Sequence, residues 1–330
     1  MRRIKWGVLG TAYIFERDTA EGMKQAENCG LYAIAGRSME KAQAFKEKYG
    51  FQKAYGSYEE LLSDPEVEAV YIPLPNTLHY EWTLKALKAK KHVLCEKPLA
   101  PTAEEAEKMF KTAREEQVLL MEAFAYQHSP YIAQVQKEIE QGTIGEVRYM
   151  EAALITSDYV EGNIRMRRET LGGSTYDLGV YCSSLILRMT GKEPETIKAV
   201  STFSKEDVDM YTTVLMEYEN GMRASFDCGM VLATEKNSAL DRFQIHGTEG
   251  SIEGVEFGFN APGELSYRVR TFDGREELKT VAVPQNYRLE VEQLGRCITE
   301  GETPAVSEAF SLANARSIDR ILKCIGYCQR

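Results

Sequence analysis

Short apolar runs alternate with amphipathic stretches through the first 123 residues, the pattern of a parallel sheet wrapped by helices. Ile4–Leu9, Leu31–Ala35, Lys53–Tyr55, Ala69–Ile72, His92–Cys95 and Val118–Met121 predict six strands. Two of the intervening helices have recognisable starts. In Ser57-Tyr58-Glu59-Glu60 and Thr102-Ala103-Glu104-Glu105 the hydroxyl and the third-following Glu are spaced to satisfy each other's free backbone donors. Asp64-Pro65 marks a turn that ends one helix and feeds the fourth strand.

From residue 145 on, longer runs are joined by turns. Tyr211–Glu219 and Met222–Cys228 flank Asn220-Gly221, and Ser266–Phe272 and Glu276–Val281 flank Asp273-Gly274, so both pairs predict hairpins. Helical patterns cover Tyr176–Met189, Tyr287–Thr299 and Ser307–Cys328. The expected fold class is α/β: a doubly wound parallel sheet of the Rossmann type over residues 1–123, then an α+β domain over residues 124–330 with a large open, mostly antiparallel sheet. The Tyr176–Met189 helix would cover one face of that sheet. Alternation of Thr213, Leu215 and Glu217 with Val214, Met216 and Tyr218 is expected to leave apolar groups on the other. An exposed apolar face marks an interface, so a homodimer is expected, or a homotetramer with a second interface.

At 330 residues, 43% hydrophobic and 27% charged, the chain can bury real cores. Its net charge of -10 argues against nucleic-acid or anionic-membrane partners, which bind basic surface. No stretch approaches 18 consecutive apolar residues, and Met1-Arg2-Arg3 leads directly into a strand rather than a signal-peptide core, so a cytoplasmic location is expected. The seven cysteines contain no C-x-x-C pair and the four histidines no H-E-x-x-H spacing; neither a disulfide framework nor a metal site is expected.

Four segments carry chemistry. The first strand runs into Gly10-Thr11-Ala12-Tyr13-Ile14-Phe15, a dinucleotide turn in which G-x-G-x-x-G/A has become G-x-A-x-x-F. After the second strand, Arg37 and Ser38, with Lys41, stand where an NAD-preferring site would offer an acid. They suit a 2′-phosphate, so NADP(H) is the preferred cofactor and NAD(H) a possible one. Leu74-Pro75-Asn76 and His79 follow the fourth strand at the sheet's carboxyl edge, where ribose or nicotinamide would lie; His79 reads equally well as a plain helix residue. The fifth strand ends in Glu96-Lys97-Pro98, and a lysine there is costly to bury unless paired or used. Asp177 and Tyr181 are four residues apart on a helix starting near Thr175 and so share one face. A phenol beside a cation and a carboxylate can transfer a proton; without Lys97 the same pair reads as a core tyrosine bonded to a capping aspartate.

In this order and spacing the chain resembles the glucose-fructose oxidoreductase, inositol dehydrogenase and MocA family over essentially its whole length. The matching stations are Trp6–Ala12, Pro75-Asn76 with His79, Glu96-Lys97-Pro98, Asn163-Ile164-Arg165, Gly172-Gly173, Asp177-x-Gly179-x-Tyr181 and His246-Gly247-Thr248-Glu249-Gly250. The resemblance implies reversible hydride transfer to sugars, polyols or related carbonyls. It places the catalytic lysine on Lys97, the glutamate near the nicotinamide on Glu96, and Arg165 among the cofactor residues. Gln127 joins Lys97, Asp177 and Tyr181 toward a sugar-like or diol substrate. Tyrosine at 181, where inositol dehydrogenases often carry histidine, resembles the dihydrodiol dehydrogenase and xylose dehydrogenase branch. The departures are Ala12 and Phe15 in the turn, with Gln127-His128-Ser129-Pro130 and the segment Gly172-Gly173-Ser174, where many relatives vary too. Two other readings share these residues: redox-assisted glycoside cleavage or epimerisation on the same fold, and a nucleotide-sensing regulator that has lost chemistry.

Overall fold

Six parallel strands order the amino-terminal part as β3-β2-β1-β4-β5-β6: β1 (Ile4–Leu9), β2 (Cys29–Ala35), β3 (Lys53–Tyr55), β4 (Ala69–Ile72), β5 (His92–Glu96) and β6 (Leu120–Ala123). The order reverses between β1 and β4, so their carboxyl ends open the crevice where doubly wound sheets take ligands. The computed structural model describes residues 2–157, 162–231, 239–257 and 262–327. It divides into one unit built from Met1–Ser129 with Pro284–Ser311, and a second from Pro130–Gly258, Gly263–Val283 and Leu312–Arg330.

In the first unit the helices are α1 (Ala20–Gln25), α2 (Met39–Tyr49), α3 (Tyr58–Ser63), α4 (Asn76–Lys88) and α5 (Ala103–Glu116). The capping boxes form by half. Ser57 and Thr102 accept from the Glu60 and Glu105 amides, both at 3.2 Å. Glu60 reaches back to the Gly56 amide instead of that of Ser57, and Glu105 takes the Thr102 hydroxyl. The sixth strand starts two residues later than its apolar run suggests. Gln117 closes α5 in the left-handed region and the Val118 amide bonds to the Ala113 carbonyl, so Val118 serves the helix end.

Of the second unit's helices, α6 (Pro130–Glu140) and α7 (Val180–Thr190) precede its hairpins; of the two that follow, α8 (Asn286–Glu300) packs in the first unit and α9 (Glu308–Cys324) runs on into the second. Cys328, the expected end of α9, lies outside the described residues. On α8 and α1 small residues permit close approach. A Cβ on Gly22 would stand 2.7 Å from the Arg288 amide nitrogen, and one on Gly295 would strike the Asn28 amide, which donates to the Glu292 carbonyl at 2.8 Å.

Eight strands make the second sheet: β7 (Val147–Ile155), β8 (Thr196–Phe203), β9 (Asp209–Glu217), β10 (Arg223–Gly229), β11 (Leu240–Gly247), β12 (Gly250–Val255), β13 (Gly263–Thr271) and β14 (Glu276–Val283). Their order is β14-β13-β12-β11-β7-β10-β9-β8, antiparallel except for the parallel pair β7–β10. Both predicted hairpins form. Register sets one apolar row across seven strands, Ile197-Met216-Ala224-Met150-Ile245-Ile252-Val269, all buried, with α7 packed on β7 and β10.

The expectation of an apolar open face is corrected here. Val214, Met216 and Tyr218 are buried, whereas Thr213 and Leu215 are exposed. Paired polar groups dominate the open face: Arg242 with Glu151 at 3.3 Å, Arg270 with Glu253 at 2.9 Å, and Thr213 with Asp227 at 2.6 Å. Val200, Leu215 and Leu278 are its exposed large apolar side chains. Among the described residues no helix is long and apolar enough to cross a membrane.

Candidate active site

β1 ends in Gly10, whose φ of 119° suits glycine and whose amide bonds to the Ala35 carbonyl at 2.8 Å. A Cβ there would stand 3.0 Å from Leu74 Cδ2, so the turns after β1 and β4 meet at the crevice. Thr11, Ala12 and Ile14 are half-buried and Tyr13 is exposed. Phe15, at the departing fingerprint position, is buried among Phe45, Tyr49, Phe51 and Tyr71, with ring centroids 5.2 to 6.4 Å away. It opens a π turn, Phe15–Thr19, ahead of α1, which makes room for a ring where the usual motif has a small residue. Arg37 and Lys41 are exposed beyond β2, and Ser38 caps α2, accepting from the Lys41 amide.

Lys97 follows β5 directly and is half-buried, ahead of a cis peptide bond to Pro98. Three side chains from other elements hold its neighbours. Tyr71 on β4 donates to Glu96 Oε1 at 2.5 Å, and the Tyr71 oxygen lies 2.9 Å from Thr19 Oγ1. His79 on α4 places Nδ1 2.7 Å from the Pro98 carbonyl and Nε2 2.7 Å from the Leu74 carbonyl. Glu122 on β6 accepts the Leu99 amide at 2.9 Å. His79 is buried with a carbonyl facing each ring nitrogen, and whichever nitrogen carries the proton donates to its carbonyl, so the ring braces two loops rather than being offered to ribose or nicotinamide. Burial lowers its pKa despite the two carbonyls.

Buried carboxyls surround this loop. Burial raises the pKa of Glu96 against the opposing effects of Tyr71 and Lys97. It pushes Glu122 up to about 7, outweighing Ser311, the Leu99 amide and Lys97. On α8, fully buried Glu290 is pushed well above the ordinary carboxylate range by burial and the Glu96 charge. Gln127 is also interior, donating to the Tyr126 hydroxyl at 2.6 Å.

In the second unit, Gly172 and Gly173 lie against backbone and side-chain oxygens: a Cβ on Gly172 would strike the Arg165 carbonyl, and one on Gly173 the Asp209 carboxylate. The helix carrying Asp177 and Tyr181 does start at Thr175, as a π turn (Thr175–Gly179) that passes into α7. The Val180 amide reaches the Thr175 carbonyl five residues back, so Asp177 and Tyr181 are phased by a wider turn than an α-helix provides. Asp177 accepts from Arg165 Nε at 2.7 Å, which pairs two residues that the sequence assigns to different tasks, Arg165 to the cofactor and Asp177 to the substrate. Tyr181 is half-buried, its ring edge-on to Phe257 with centroids 6.5 Å apart. Sequence reasoning missed Tyr71, Glu122 and Asp209, each bonded to residues 23 to 35 positions away.

D-xylose 1-dehydrogenase (NADP(+)) 2 of Haloferax volcanii is 33% identical over 327 residues, covering 96% of this chain and 95% of that protein. Trans-1,2-dihydrobenzene-1,2-diol dehydrogenase of Xenopus tropicalis is 30% identical over 334 residues, covering 98% of each. A crystal structure of a 3-ketoreductase from Actinomadura kijaniata, in complex with NADP and TDP-benzene, matches with a TM-score of 0.90 at 29% identity over 98% of both chains. Residues 4–124 match the model of the oxidoreductase family with an NAD-binding Rossmann fold, and residues 132–253 that of the GFO/IDH/MocA C-terminal domain, so the chain belongs to the GFO/IDH/MocA oxidoreductase family.

Proposed function

We propose that this chain is an NADP(H)-dependent oxidoreductase that transfers a hydride between nicotinamide and a secondary alcohol or ketone of a sugar, polyol or diol. One observation carries the reading. Tyr71, His79 and Glu122, from three different elements, each fix one neighbour of Lys97, so the lysine is held at the carboxyl edge of the sheet where a cofactor's reactive end belongs. The NADP-dependent xylose dehydrogenase and the NADP-bound ketoreductase among the relatives support it.

In this reading residues 1–123 bind the cofactor, and residues 124–330 bind substrate and a second copy of the chain, as a homodimer or homotetramer. The positive-φ Gly10 turn fits a close diphosphate. Gly10, Thr11, Ala12, Tyr13 and Ile14 would hold it, Arg37, Ser38 and Lys41 the 2′-phosphate, and Leu74, Pro75, Asn76 and Glu96 the ribose and nicotinamide. The nicotinamide, when bound, supplies or accepts the hydride at C4. Lys97 Nζ and the Tyr181 hydroxyl are the proton-transfer groups for the substrate oxygen. Asp177, oriented by Arg165, positions substrate or tyrosine.

An absorbance screen of sugars, diols and ketones with NADP(H) identifies the substrate. On it, Lys97→Ala reduces turnover by at least ~100-fold while leaving NADPH binding largely intact. Near-normal turnover of the purified variant overturns the assignment.

A further inference from the structure

Asp209 opens β9 and is fully buried. Its Oδ2 accepts from the Ser174 hydroxyl at 2.8 Å and from the Thr175 amide and hydroxyl, each at 2.7 Å; Thr212 Oγ1 lies 3.0 Å away. Its Oδ1 lies against Gly173, whose φ of 114° and lack of a side chain let the carboxylate approach. Ser174 and Thr175 begin the π turn that carries Asp177 and leads into Tyr181.

Burying a carboxylate costs several kcal/mol, roughly, and well-packed apolar residues in its place are often as stable. Generic stability therefore gives no reason for a charge here. Its donors are concentrated on the two residues that start one turn, so the carboxylate sets where that turn begins. An ordinary helix start at Ser174 would place Asp177 and Tyr181 differently.

We propose that Asp209 is a positioning residue of the reaction: its carboxylate fixes the start of the π turn and thereby the placement of Asp177 and Tyr181. The inference rests on the roles proposed above for those two residues. Misplacing a catalytic group by an ångström costs on the order of 100-fold in rate.

Asp209→Asn keeps the size and one acceptor oxygen but removes the charge. With the substrate found by the screen, kcat is expected to fall at least ~10-fold with KM changed less than ~3-fold, on the same reasoning. NADPH affinity, read by fluorescence, stays unchanged. In a Tyr181→Phe background the further loss is expected to be smaller, because the part that passes through Tyr181 is already gone. Thr175→Val, which removes one donor, gives a smaller loss of the same kind and serves if Asp209→Asn misfolds. Full multiplication of the two losses, or a crystal structure of Asp209→Asn with residues 174–181 unmoved, overturns the inference while leaving the role of Tyr181 standing. If Tyr181→Phe alone keeps its turnover, the role of Tyr181 fails and this inference fails with it.

Discussion

Glu122 lies on β6 beside the loop that carries Lys97, and replacing it with glutamine tests what its burial costs. Glutamine retains an oxygen for the Leu99 amide, so the packing and that hydrogen bond survive while the ionisable group goes. The carboxyl titrates at about 7 in the folded chain against an ordinary value of 4.5, with burial the leading cause. Because the folded value is the higher one, the stability this group contributes is fully present below about pH 4.5 and is lost as the pH rises through about 7. At about 1.4 kcal/mol per pH unit, the full difference is roughly 3 kcal/mol, of which about 2.5 kcal/mol develops between about pH 5 and pH 8. Glu122→Gln should therefore gain about that much on wild type as the pH is raised over this interval. Both tryptophans, Trp6 and Trp82, belong to the first unit, so urea denaturation followed by tryptophan fluorescence reads the relevant transition. A difference between the two proteins that is the same at both pH values refutes the reasoning.

Two further outcomes follow, one from the exposed Arg37 and one from the proposed assembly. Titration of the apoprotein should show NADPH binding roughly ten- to hundred-fold more tightly than NADH, from a charge-assisted contact worth ~1.5–3 kcal/mol, and Arg37→Ala should erase the gap; equal affinities in the unmutated chain exclude this role. Light scattering at micromolar concentration should give at least twice the 37.3 kDa chain mass. A mass near that of one chain sinks the proposed homodimer.

The strands and the dinucleotide turn were legible because their signals are local: an apolar run, a small-residue turn and a charge pattern within a dozen positions. The place of Lys97 at the end of β5 was legible from the run Val93 to Pro98, yet lysine burial by itself is a poor guide to function. Lys91, a few residues earlier, is more deeply buried and satisfied by the Asp64 and Val67 carbonyls at 2.7 and 2.8 Å. The braces around Lys97 left no trace in sequence because Tyr71 reads as an ordinary strand residue, and Glu122 as the residue after a strand, until the parallel pairing brings them beside β5. The same holds for Asp209, which resembles any polar residue before a strand until its partners at Ser174 and Thr175 are known. The π turns escaped because hydrophobic spacing over five residues does not separate a wide turn from an α-helical one. Alternation in β9 was read correctly as a period, but the face on which its apolar set lies is decided by the Thr175–Gly179 turn packed against it.

That α8 packs in the first unit, with Gly22 and Gly295 fitted to backbone and amide neighbours, has a bearing on biosynthesis. A ribosome emits residues 1–129 long before residue 284, so the nucleotide-binding half must wait, its α1 surface uncovered, while the whole second sheet is made. A fragment ending at Ser129 would leave the Asn28 amide without its Glu292 carbonyl and α1 without its cover. The amino-terminal half is thus a discontinuous folding unit, completed only once α8 has been made, and a chain stalled before α8 would be a client for chaperones rather than a free-standing nucleotide-binding protein.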